Sequence, residues 1–143
     1  MFSIKPGRTT SNESGSRMPS NILVDASFLF TLNAVNDKNR PAALAFLKSS
    51  RENLLIPEIV LAEVAHVLRQ RIGQGAVLNL LDHLVQPEVN LVGLTKTDLQ
   101  RARQIMATYS SADFDLADCC IMALAERLNI TQVCTFDHRD FWS

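Results

Sequence analysis

At 143 residues the chain has the length of one ordinary domain and can bury a proper core. Its 47% hydrophobic and 20% charged content fits a soluble globular protein, and no apolar run reaches the ~20 residues of a membrane span. A net charge of −1 excludes a strong global basic field, so any grip on a nucleic acid has to be local. The first twenty residues lack the apolar stretch of a secretory signal, and the chain reads as cytoplasmic. Cys119, Cys120 and Cys134 are odd in number and lack CxxC spacing. That argues against a disulfide framework and a zinc site, and predicts buried free thiols.

Residues 1–20 are rich in Gly, Ser, Thr and Asn and poor in apolar groups, and read as a disordered leader. Residues 21–143 read as a single folded domain. Its first strand is Asn21–Val24, followed by a helix over 27–33. A helical pattern with Leu44, Phe46 and Leu47 covers 41–48, and a brief buried strand covers 54–56. Pro57 suits the first position of the next helix, where Leu61, Val64, Ala65, Leu68 and Ile72 recur at helical spacing. Gly73 and Gly75 break it. A helix over 76–85 ends before Pro87, and 89–92 is a strand. An amphipathic helix over 95–109 places Leu99, Ala102, Ile105 and Met106 on one side. A further helix over 116–128 is followed by a strand over 130–134 and a terminal turn over 137–141. Short strands interleaved with helices imply a parallel α/β sheet covered on both faces.

Four carboxylates then stand out. Asp25 closes the first strand, Asp137 follows the last, Asp118 opens the 116–128 helix, and Glu63 lies on the helix after Pro57. A parallel sheet gathers such positions at the carboxyl ends of its strands, where ligands bind in open α/β folds. Four acids in one place repel one another unless they hold a hard divalent cation such as Mg²⁺. That arrangement fits metal-assisted hydrolysis of a phosphodiester. Each acid also has a plainer reading. Asp25 is a natural N-cap, and Asp137 a cap or turn residue. Asp118 falls third after Asp115, as the acid of a capping box. Glu63, read as lying beyond the first turn, equally suits a solvated helix face. No glycine-rich phosphate loop is present, and His66, His83 and His138 accompany no nucleophile motif.

The stretches Ile22-Leu23-Val24-Asp25-Ala26-Ser27, Pro57 through Val64, Leu116-Ala117-Asp118 with Ala123-Leu124-Ala125-Glu126-Arg127-Leu128, and Thr135-Phe136-Asp137-His138-Arg139-Asp140-Phe141 resemble the PIN domain. Within that family they are similar to the ribonuclease toxins of VapBC toxin–antitoxin pairs. The resemblance spans about residues 21–142. It implies a three-layer α/β/α sandwich with a short parallel sheet. It also implies a Mg²⁺- or Mn²⁺-dependent endoribonuclease acting through Asp25, Glu63, Asp118 and Asp137. Ser27 and Thr135 match small hydroxyl residues that line such pockets. Arg139, beside Asp137, is a candidate phosphate contact, and a solvated surface arginine is an equal reading of it. A homodimer and an inhibitory antitoxin are further implications.

Other classes fit less well. A dehalogenase-like phosphotransferase needs a second Asp where Ser27 stands. A receiver domain wants a late lysine, and none follows Lys96. A housekeeping RNA-processing nuclease and a non-catalytic binding module of the same fold remain as alternatives.

Overall fold

The computed structural model describes residues 20–136. The leader, apart from Ser20, and the segment carrying Asp137 and Arg139 lie outside the described residues. Four strands form one parallel sheet: β1 Asn21–Val24, β2 Asn53–Pro57, β3 Asn90–Val92 and β4 Val133–Cys134, in the order β3-β2-β1-β4. Between them run helices α1 Ala26–Asn33, α2 Arg40–Ser49, α3 Leu61–Arg71, α4 Gln74–Leu84, α5 Lys96–Thr108 and α6 Leu116–Leu128.

The strand order follows from handed connections. From β1 the chain steps outward to β2 and then β3, then returns past β1 to β4. Right-handed crossovers in opposite directions place α1–α4 on one face and α5–α6 on the other. The packing agrees, with α1 against α2, α3 and α4, and α5 against α6. The result is the α/β/α sandwich that the alternating pattern implies.

The central strand β1 carries the core, with Ile22, Leu23 and Val24 all buried. Phe28 of α1 is fully buried, stacked on Phe136 at 5.4 Å and edge-on to Phe46 at 6.0 Å. On α6 the residues from Asp118 to Ala125 are buried without a break. A helix held between a sheet and another helix has little free face, so its apolar stripe widens to the whole circumference.

Several boundaries differ from the sequence pattern. Pro57 ends β2 rather than opening a helix, because a 3-10 turn at Glu58–Val60 intervenes before α3. That delay brings Glu63 into the first turn of α3. Gly75 lies inside α4, and Gly73 alone makes the break, with φ at 137°. Ile72, past the end of α3, is exposed at 46%. Leu99 and Met106 are exposed at 46% and 38%, so the inner face of α5 is narrower than its apolar spacing indicated. That face instead includes Asp98, 2% exposed, which caps α5 and accepts from Arg127 of α6 at 2.9 Å. The last strand spans Val133–Cys134 only. The three cysteines are free and buried. Among the described residues no helix is long and apolar enough to cross a membrane.

Candidate active site

β1 lies between β2 and β4, where the chain's outward progress on one side of the sheet gives way to the other. Carboxyl ends at such a reversal splay apart and open a crevice. Asp25 is the first residue past β1, and its backbone N–H donates to Cys134 O of β4 at 3.1 Å. The next turn fixes its side chain. Asp25 is the N-cap of α1, and its Oδ1 accepts from Phe28 N at 3.0 Å and from Ser27 Oγ at 2.8 Å. The capping reading of Asp25 is therefore correct, and it coexists with a place at the crevice.

Asp118 behaves the same way. Asp115 caps α6, its Oδ1 accepting from Asp118 N at 2.9 Å, while Asp118 Oδ2 accepts from Asp115 N at 3.0 Å. This reciprocal capping box holds the 7%-exposed Asp118 against one rotamer. Glu63 is exposed on α3.

Asp25, Glu63 and Asp118 line one cleft of about 370 Å³, together with Ser27, Asp115 and Phe136. The crevice thus draws carboxylates from the end of β1, from α3 and from the start of α6. Phe30, Asp37, Asn39 and Arg71 extend the wall beyond Glu63. Sequence reasoning passed over these four residues. The one available signal was the spacing of Glu63, Val67 and Arg71, which puts all three on a single face of α3.

Ser27 lines the cleft, but its hydroxyl is turned into the protein. It donates to Asp25 Oδ1, accepts from Phe136 N at 2.8 Å, and lies 3.1 Å from Thr135 Oγ1. Thr135 is 1% exposed and stands behind Ser27 rather than on the cleft wall. The two hydroxyls tie the loops after β1 and β4 together beneath Asp25. Burial pushes the Cys134 thiol up to about 12, helped by the charge of Asp25. Burial raises Cys119 too, with Asp118 and Asp115 adding to it. Both stay protonated thiols and supply no thiolate nucleophile.

The donors on the cleft wall are carboxylate oxygens, which suit hard cations such as Mg²⁺ or Mn²⁺ and not zinc-type sulfur or imidazole coordination. Among the described residues no three His, Cys, Asp or Glu side chains are grouped to hold a metal ion as they stand. Asp25 and Asp118 are fixed by capping bonds, whereas the exposed Glu63 has free torsions with which to approach them. The donor chemistry fits a divalent cation.

A parallel α/β/α sandwich with acids at its strand-reversal crevice defines a class of α/β protein with a carboxylate-lined cleft. Residues 22–141 match the PIN domain, and the chain belongs to that family. It is 24% identical over 120 residues to Ribonuclease VapC26 of Mycobacterium tuberculosis, covering 84% of this chain and 89% of that protein. Its fold is similar to that of the sarcin–ricin-loop-cleaving toxin VapC20 of Mycobacterium tuberculosis, with a TM-score of 0.78, 22% identity, and 84% and 92% of the two chains covered. It is also similar to a chain of a toxin–antitoxin complex from Klebsiella pneumoniae, with a TM-score of 0.61, 19% identity, and 85% and 91% covered.

Proposed function

We propose that the chain is a Mg²⁺- or Mn²⁺-dependent endoribonuclease and the toxin of a toxin–antitoxin pair. The observation that carries this reading is the meeting of Asp25, Glu63 and Asp118 in one cleft of a PIN fold. Asp137, two residues beyond the described Thr135, is the proposed fourth acid, and Arg139 a phosphate contact.

In this reading Asp25, Glu63 and Asp118 hold the divalent cation. When bound, the cation neutralises phosphate charge and acidifies water for attack on phosphorus. The protein's own work is to keep the acids in place. The Ser27 hydroxyl orients Asp25, Thr135 backs Ser27, and the Asp115 cap orients Asp118. Ser27 and Thr135 are thus positioning residues here rather than substrate contacts. Cleavage leaves a 5′-phosphate and a 3′-hydroxyl.

The names of the related proteins support an RNA substrate and an antitoxin partner. A partner's arginine inserted among the carboxylates would compete with the cation. Leu78, Leu81 and Val85 leave an apolar stripe exposed on α4 and just beyond it, available to a partner chain or a second copy in a homodimer. The proposed setting is the cytoplasm.

Asp25→Asn keeps the size and the capping acceptor but removes the charge. The variant is expected to fold and to lose roughly 10²–10³-fold in Mg²⁺-dependent cleavage of RNA. Cleavage at the wild-type rate would return Asp25 to a purely capping role. Expression of the active chain alone is expected to arrest growth, and the Asp25→Asn chain to be harmless. Harmless expression of an active enzyme would favour a housekeeping nuclease instead.

A further inference from the structure

The cleft contains a feature that the metal-binding acids do not explain. Its wall carries the carboxylates Asp25, Asp37, Glu63, Asp115 and Asp118, and among the described lining residues Arg71 is the one cation. A cleft with that balance repels a polyanion away from the metal. A strand running through it needs a positive contact beside the reacting phosphate.

We propose that Arg71 binds a backbone phosphate flanking the scissile one, held ready by the ring of Phe30. The Arg71 guanidinium lies over that ring, 5.6 Å from its centroid, and both side chains line the cleft. A cation–π contact holds the guanidinium without consuming its N–H donors, the set that matches phosphate. Among the described residues Arg71 makes no ion pair and no side-chain hydrogen bond. Arg69 shares the last turn of α3 and serves the helix dipole equally well, but it does not line the cleft. Glu63, Val67 and Arg71 succeed one another along the cleft-facing side of α3, with a rise of about 12 Å between the two charged residues. That spacing lets Arg71 reach a phosphate further along the strand than the one at the acids. The placement rests on the nuclease reading of the acids.

The test is binding of a short labelled single-stranded RNA to the full chain, followed by anisotropy across a salt series. The chain carries Asp25→Asn so that the probe survives. Adding Arg71→Gln is expected to weaken binding roughly tenfold at low salt. The same change should lower the salt slope by about 0.7, the loss of one phosphate contact on a single strand. Arg71→Lys should keep most of the slope. Arg103→Gln, which removes an exposed charge on α5 outside the cleft, should change neither quantity. In the cleaving chain Arg71→Gln should raise KM with kcat nearly unchanged. An unaltered slope in Arg71→Gln, or no salt-dependent binding by the parent, overturns the proposal. Failure of the wild-type chain to cleave RNA with Mg²⁺ or Mn²⁺ overturns the nuclease reading separately, because the binding slopes still report whether Arg71 holds a phosphate.

Discussion

Asp25 does two jobs with one side chain. Its Oδ1 satisfies Phe28 N at the start of α1, and the same geometry stands it at the mouth of the cleft. Ser27 is the residue that makes this orientation rigid, since its hydroxyl bridges Asp25 Oδ1 and the backbone N–H of Phe136. Ser27→Ala deletes that bridge without opening a large cavity. It is expected to slow RNA cleavage about 10–100-fold, the usual range for a group that orients a metal ligand. The melting temperature should move little by comparison. Equal losses in the two measurements would make Ser27 a structural residue only. The acids themselves were legible in the sequence, because an apolar run that stops at a carboxylate marks a strand end. Arg71 was not legible. On a helix it looks like Arg69, and only the fold shows Phe30 of α1 beneath it.

At the scale of elements, α5 and α6 are clasped by charge as well as by apolar packing. Asp98 sits at the third position of α5, where it completes a capping box with Thr95 and accepts from Arg127 Nε at 2.9 Å. Burial alone would raise the Asp98 pKa, but the Arg127 hydrogen bonds and the Thr95 backbone N–H outweigh it and hold the carboxyl below its ordinary value. A depressed folded-state pKa stabilises the protein above the unfolded pKa, near 3.8, and that stability is lost as pH falls through the folded value. Asp98→Asn is therefore expected to cost about 1 kcal/mol at neutral pH, mostly from the weakened cap, since the exposed Arg127 can turn to solvent. Its melting curve should converge on that of the wild type as the pH drops below about 4. A constant gap down to acid pH would show that charge is not the cause. This clasp explains why the inner face of α5 could not be read from apolar spacing. Leu99 and Met106 fit the period, yet the buried Asp98, paired with the solvent-exposed Arg127, takes part of the inner face, and the two apolar side chains remain partly exposed. Glu63 was misjudged for a related reason, since the 3-10 turn after Pro57 has no distinct sequence pattern and shifts the start of α3.

For the whole molecule, the strand order β3-β2-β1-β4 decides where charge collects. Because β1 lies at the reversal, the loop after it, the start of α6 and the first turn of α3 all open on one crevice, and each brings an acid. Like charges gathered on one cleft wall disfavour one another, so a cation that binds among them is expected to stabilise the fold. A ligand that binds only the folded chain stabilises it, by about 2.7 kcal/mol at a hundredfold excess over Kd. For a chain of this length that is a rise of roughly 8 °C in melting temperature. Mn²⁺ or Mg²⁺ is accordingly expected to raise the melting temperature saturably, and Ca²⁺, which prefers more ligands at longer distances, to do so less. Asp25→Asn should reverse both halves of the behaviour. Its metal-free form should melt above the metal-free wild type, since one repelling charge is gone, and its response to Mn²⁺ should shrink. A wild-type melting temperature indifferent to Mn²⁺ and Mg²⁺ would mean that the crevice holds no divalent cation, and that its acids serve only to cap the helices they begin.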